Sequence, residues 1–160
     1  NGLNPEQVMM TVKEKGSVIH FEDAKKITNE ELLVLPVDIL VPAALENVIT
    51  KENVENIQVK IIVEMANGPI TQEAYDTLKA KNIISIPDIL ANGGGVIVSY
   101  FEWLQNRENS AWTEDQVNEK LEIQLAGAFE EIWNISKKLN LDLKQSSFVS
   151  ALAKIAGKKV

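Results

Sequence analysis

Three short apolar runs, Val37–Val41, Val59–Met65 and Ile83–Ile86, alternate with segments of helical character over the first two-thirds of this chain. That alternation constrains the fold more than any other feature. The middle run carries Ile61, Ile62 and Val63 in succession, and the first is apolar on both faces except at Asp38. Strands apolar on both faces belong to parallel sheets covered by helices on each side. Parallel neighbours in turn require crossover connections, which are right-handed. The expected class is therefore α/β with a parallel sheet. Ligands of such sheets bind beyond the carboxyl ends of the strands. Three loops lie at those ends: Pro42-Ala43-Ala44, Ala66-Asn67-Gly68 and Asn92-Gly93-Gly94.

Around the strands, Asn4-Pro5 opens a helix that Gly16 ends, since asparagine caps and proline suits the first turn. Ser17–Phe21 reads as a short strand, Thr28–Leu33 as a short capped helix, and 50–57 as one or two helical turns. Thr71 caps a helix ending near Lys81, with Ala74, Leu78 and Ala80 for packing. Asn92 or Gly93 starts a helix through Asn106. From about residue 113 the chain turns all-helical. Thr113 and Gln116 make a capping box for a long helix over about 114–139, whose Val117, Leu121, Leu125, Ala128, Ile132, Ile135 and Leu139 follow helical spacing. A last helix over about 146–156 presents Val149, Leu152, Ala153 and Ile155.

With 160 residues, 45% of them apolar, one domain with a real core is the expectation. The formal net charge of −7 and the lack of a basic patch argue against nucleic acid and fit an acidic cytoplasmic surface. There is no cysteine, hence no disulfide framework and no thiol nucleophile. No apolar run reaches membrane-spanning length and no signal peptide opens the chain. Acidic residues show no metal-site spacing. His20, the only histidine, reads as a packing or surface residue beside Phe21.

The run Ile86-Pro87-Asp88-Ile89-Leu90-Ala91-Asn92-Gly93-Gly94-Gly95-Val96-Ile97-Val98-Ser99-Tyr100-Phe101-Glu102-Trp103 closely resembles the nicotinamide and substrate-cleft signature of glutamate dehydrogenases. Leu35–Asn47 and Glu64-Met65-Ala66-Asn67-Gly68-Pro69 resemble two further strand-and-loop blocks of the same dinucleotide domain, in the same order. The resemblance covers essentially all of 1–160. It implies a truncated Rossmann-like sheet followed by C-terminal helices. No G-x-G-x-x-G occurs, and Gly93-Gly94-Gly95 follows the last strand rather than the first. The chain thus reads as a piece of a larger enzyme whose first strand, glycine turn and catalytic lysine and aspartate lie elsewhere, so that the piece alone is inactive.

The same resemblance implies the site. Ala43, Ala44, Asn67 and Asn92 would contact NAD or NADP; Val96 would line the substrate pocket; Ser99 would hold the side-chain carboxylate of glutamate or 2-oxoglutarate. No residue here is assigned a catalytic or metal-binding role. Read without the family, Asn67 is a turn residue before Gly68-Pro69 and Asn92 a helix N-cap. Asp88 reads as a structural cap or loop anchor. The family usually has alanine where Gly93 or Gly94 stands. A leucine, valine or phenylalanine dehydrogenase shares the loop, although Ser99 and Tyr100-Phe101-Glu102-Trp103 look like the glutamate branch. A non-catalytic nucleotide-binding or interaction module is the reading from another class. The parent is expected to form a homo-oligomer, a hexamer by family resemblance. The piece is expected to self-associate through the open edge of Val37–Val41, with Ser17–Phe21 as an alternative strand partner, and through its last helix.

Overall fold

A computed structural model describes residues 2–158; Asn1, Lys159 and Val160, at the ends of the expected 1–160 domain, lie outside the described residues. The chain divides into two compact units, Asn1–Val34 and Leu35–Val160.

The first unit holds α1 (Pro5–Lys15) and α2 (Asn29–Leu33). Asn4 Oδ1 accepts from the Glu6 and Gln7 amides at 3.0 and 3.2 Å, and Gly16 ends α1 at φ 79°, the left-handed conformation glycine adopts without penalty. Thr28 and Glu31 cap α2 reciprocally. Ser17–Phe21 is not a strand. Ser17 Oγ accepts from the Ile19 amide and Val18–His20 closes a 3₁₀ turn. A local side-chain bond has won over strand pairing there.

The second unit contains a three-stranded parallel sheet of β1 (Ile39–Leu40), β2 (Ile61–Val63) and β3 (Ile84–Ile86), in the order β1-β2-β3. Ile62 sits at its centre, facing Leu40 on one side and Ser85 on the other. Each strand is shorter than the apolar run that contains it. Proline bounds β1 at Pro42, and after β2 the Met65 and Ala66 amides both turn to the Pro42 carbonyl, at 3.1 and 2.9 Å. Residues 50–57 form turns ending in a 3₁₀ segment, Val54–Asn56. Lys81 Nζ closes this segment by donating to the carbonyls of Glu55 and Ile57 at 2.5 and 3.0 Å. Ile49, Val54, Ile57, Ile62, Ala74 and Leu78 form the core, each at most 1% exposed.

The helices are α3 (Gln72–Ala80), α4 (Asp88–Ala91), α5 (Gly94–Glu108), α6 (Glu114–Leu139) and α7 (Leu143–Ile155). Thr71 occupies the N-cap of α3 without a side-chain bond. Thr113 and Gln116 form the capping box of α6. Asn109 and Asn140, both left-handed, end α5 and α6. Within α6 the buried residues are Ile132 and Ile135, near its end. There Ile132 packs with Leu90 and Leu143 in a second cluster that joins α4, α6 and α7.

α7 corrects the expectation most. It begins at Leu143, capped by Asp142 with Gln145, and buries Leu143, Ser146, Ser147 and Ser150. Leu152 and Ile155, expected to pack, are 65% and 84% exposed. The buried hydroxyls are satisfied: Ser146 and Ser147 donate to the carbonyls four residues back, both at 2.7 Å, and Ser150 donates to Glu131 Oε1 at 2.6 Å. Small side chains with internal partners let α7 approach its neighbours closely, and the bulky residues turn outward. Among the described residues no helix is long and apolar enough to cross a membrane.

Candidate functional site

The three loops named above meet beyond the carboxyl ends of the strands. The Pro42 carbonyl holds the Met65 and Ala66 amides, which places Ala43 and Ala44, both exposed, beside the segment leading to Asn67. Asn92 joins from the other side: its Nδ2 donates to Asn67 Oδ1 at 2.7 Å and to the Met65 carbonyl at 3.3 Å. A carbonyl can only accept, so this contact fixes which end of the Asn92 amide faces the loop. It fixes Asn67 as well, because the atom meeting Nδ2 must be an acceptor. Asn67 Nδ2 and Asn92 Oδ1 are left without a partner among the described residues, one donor beside one acceptor.

Asp88 builds the frame of this pair. Its Oδ2 accepts from the Gly68 amide at 2.9 Å and its Oδ1 from the Ile89 amide at 2.8 Å. One carboxylate thus ties the Asn67 loop to the start of α4, the helix that delivers Asn92. It is the loop anchor the sequence suggests.

Asn92 is not the N-cap of α5. It follows α4 as its C-cap, and Gly93 holds the N-cap position with no side-chain bond. The interruption between α4 and α5 aims the Asn92 amide at Met65 instead of at helix amides. The glycines divide their tasks. A Cβ on Gly93 would lie 3.4 Å from the Ile89 carbonyl, whereas Gly94 faces Leu121 and Leu125 of α6 at 3.8 Å. A Cβ on Gly95 would meet nothing within 4 Å. None of the three has a left-handed φ.

Val96 and Ser99 lie three residues apart on α5 and so share a face; both are exposed, Val96 by 71%. Neither contacts the Asn67–Asn92 pair by hydrogen bond. Their link to it is the helix start itself. The Ser99 hydroxyl makes no hydrogen bond among the described residues, unlike Ser146 and Ser147, which bond back to their own helix.

One polar cluster has no counterpart in the sequence analysis: Glu64, Tyr75, Ser85 and Lys144, at the end of β2. Its available signal is a carboxylate directly after three branched apolar residues. Among the described residues there is no cluster of three or more His, Cys, Asp or Glu suited to a metal ion.

An open parallel α/β sheet whose polar loops converge beyond its carboxyl edge defines a class of proteins that take small ligands there. Within that class, the sequence profile of the Glutamate/Leucine/Phenylalanine/Valine dehydrogenase family matches residues 1–160, and the chain belongs to this family. It is 44% identical over 156 residues to the NAD-specific glutamate dehydrogenase of Clostridioides difficile, covering 98% of this chain and 37% of that protein. It is also 44% identical over 132 residues to the NADP-specific glutamate dehydrogenase of Synechocystis sp., covering 82% and 31%. Among solved structures, the hetero-hexameric glutamate dehydrogenase of Thermus thermophilus in its leucine-bound form superposes with a TM-score of 0.86 at 28% identity, over 96% of this chain and 36% of that one. The chain therefore spans little more than a third of the length of the relatives it matches.

Proposed function

We propose that this chain is the nicotinamide-side part of the dinucleotide domain of a glutamate dehydrogenase, which deaminates L-glutamate to 2-oxoglutarate and ammonium with NAD or NADP. One observation carries the reading. The Asn67–Asn92 pair is locked by the Met65 carbonyl and presents a free donor next to a free acceptor at the carboxyl edge of the sheet. Ribose hydroxyls and a carboxamide each donate and accept, so either fits that pair. Exposed Ala43 and Ala44 leave room for a nucleoside beside it. When bound, the dinucleotide supplies the hydride chemistry. This chain's residues bind and orient: Asn67 and Asn92 on the nucleotide, Val96 along the substrate, and the unengaged Ser99 hydroxyl on the side-chain carboxylate. Relatives named NAD-specific and NADP-specific both exist, so the family likeness supports a nicotinamide dinucleotide of either kind. Their names, together with Ser99, favour glutamate over leucine, valine or phenylalanine.

The proton-transferring lysine and aspartate of the family fall outside the matched stretch in this reading. The full-length protein should reduce NAD or NADP with glutamate, and much more slowly with leucine or phenylalanine. The 160-residue chain alone should show no turnover, since each positioned acid or base typically contributes about 10²–10⁴-fold. A spectrophotometric NAD(P)H assay on both proteins decides. A full-length protein silent toward glutamate, or an active isolated chain, overturns the reading.

Among the described residues β1 pairs only with β2, and Ile39 on it and Val41 just after it are 54% and 49% exposed. Residues 18–20 form a 3₁₀ turn rather than the strand expected there. Open apolar edges recruit strands from other chains, and Phe148, Leu152 and Ile155 add an exposed apolar stripe on α7. Light scattering on the isolated chain should therefore give the mass of at least two copies. A strict monomer at high concentration would refute this.

A further inference from the structure

The polar cluster around buried Glu64 at the end of β2, with Tyr75, Ser85 and Lys144 half-buried about it, has no place in the contacts proposed for nucleotide or substrate. Glu64 follows β2 directly and is fully buried. Its Oε1 accepts from Ser85 Oγ of β3 at 2.7 Å and from the Tyr75 hydroxyl of α3. Tyr75 Oη accepts in turn from Lys144 Nζ of α7 at 3.2 Å, and that ammonium lies 4.3 Å from the centre of the Tyr75 ring. Glu64 Oε2 is buried with no partner among the described residues. Burial, and then the bond to Glu64, push the Tyr75 hydroxyl far above the usual phenol range, so it stays a donor at every physiological pH.

Stability is a weak reason to keep this arrangement. A buried carboxylate is costly, and well-packed apolar side chains of similar volume often replace buried charged pairs without loss. Placement is the better reason. The Glu64 amide bonds the Ile86 carbonyl at 3.1 Å, and its side chain grips α3, β3 and, through Tyr75, α7. The next residue, Met65, carries the carbonyl that orients Asn92, and Asn67 follows two residues later. Apolar packing resists compression but slides; hydrogen bonds to three elements set direction as well as distance.

We propose that Glu64 is a positioning residue, which through Tyr75, Ser85 and Lys144 holds the 65–68 loop so that the Asn67 and Asn92 amides stay paired and aimed outward. The consequence for nucleotide affinity rests on the function proposed above; the consequence for the loop does not.

The test uses the full-length protein with E64Q, Y75F and K144M. E64Q keeps the shape and replaces one carboxyl oxygen with an amide nitrogen, which cannot accept. Y75F deletes the hydroxyl that joins α3 and α7 to the carboxylate, and K144M severs the α7 arm alone. Amide hydrogen exchange is followed at Ala66 and Gly68, whose amides bond Pro42 and Asp88, and in the middle of α6 as a remote reference. Exchange at Ala66 and Gly68 should rise about tenfold or more in E64Q and Y75F, with α6 unchanged within about twofold. The dinucleotide Kd should rise about threefold or more, because small misplacements of binding groups are costly. K144M should give a smaller effect of the same kind. A purely structural role would lower Tm or raise exchange equally everywhere while leaving Kd alone, and either pattern overturns the proposal. So does loop exchange unchanged in folded variants. If E64Q does not fold, Y75F and K144M decide by the same criteria. Should the wild type bind no dinucleotide while the variants still free the loop, the proposed function fails and the positioning role stands.

Discussion

Ile62→Ala should destabilise the protein by about 2–5 kcal/mol, the range for removing large aliphatic side chains from well-packed cores. Ile62 is fully buried at the centre of the only sheet among the described residues, paired with Leu40 and Ser85 on its two flanks. Strands hydrogen-bonded on both sides cannot shift to fill the vacated volume, so most of the cavity should persist. Urea unfolding should show the midpoint falling with little change in slope. Thermal unfolding should show a drop of about 4–20 °C for a domain of this size. The control is Ile39→Ala on the outer strand. Ile39 is 54% exposed, and its loss should cost less than about 1 kcal/mol. Equal losses at the two positions would mean that the sheet does not carry the core.

Ser99→Val in the full-length protein should lower kcat/KM for glutamate about tenfold or more. A hydrogen bond to a charged group contributes about 1.5–3 kcal/mol, and its loss in the transition-state complex reads out directly in kcat/KM. The reason to single out this serine is its freedom. Helical serines commonly bond back to the carbonyl four residues earlier. Ser146 and Ser147 do so, at 2.7 Å each, while Ser99 keeps its hydroxyl unengaged on the exposed face it shares with Val96. Because Ser99 supports no other residue, Ser99→Val should leave Tm nearly unchanged. Ser99→Thr, which restores the hydroxyl, should recover much of the activity. An unchanged kcat/KM in Ser99→Val would remove Ser99 from the substrate site.

Much of the fold was legible because its signals are local or periodic. The chain's alternating apolar runs specify a parallel sheet, and Ile61, Ile62 and Val63 mark its buried centre. The capping boxes at Thr28 and Thr113 and the stop at Gly16 place helix ends, since each depends on residues within a few positions of each other. The loops that converge were also readable, because strand direction alone puts them at one edge. Asp88, read as a structural cap or loop anchor, does anchor the Asn67 loop, although the short helix α4 that it opens was not expected.

Other features were not legible, for physical reasons that differ. Residues 17–21 have strand-like composition, but a serine bond closes a local turn there instead. The packing face of α7 inverts expectation because hydropathy cannot register that Ser146, Ser147 and Ser150 satisfy their own hydroxyls and so become small, buried residues. Helical periodicity on α6 located the helix but not its burial, which is concentrated at Ile132 and Ile135 where α4 and α7 arrive.

By itself, then, the sequence determined the class of sheet, the helix boundaries set by caps, and which loops share an edge. Only tertiary structure decided that Asn92 turns toward Met65 and Asn67 rather than capping α5, that Glu64 meets Tyr75 and Ser85, and that Lys144 meets Tyr75. Those contacts join residues 11 to 69 positions apart. A chain's propensities act over one or two turns, whereas the direction of a buried polar group is chosen by whatever donors and acceptors packing brings to it.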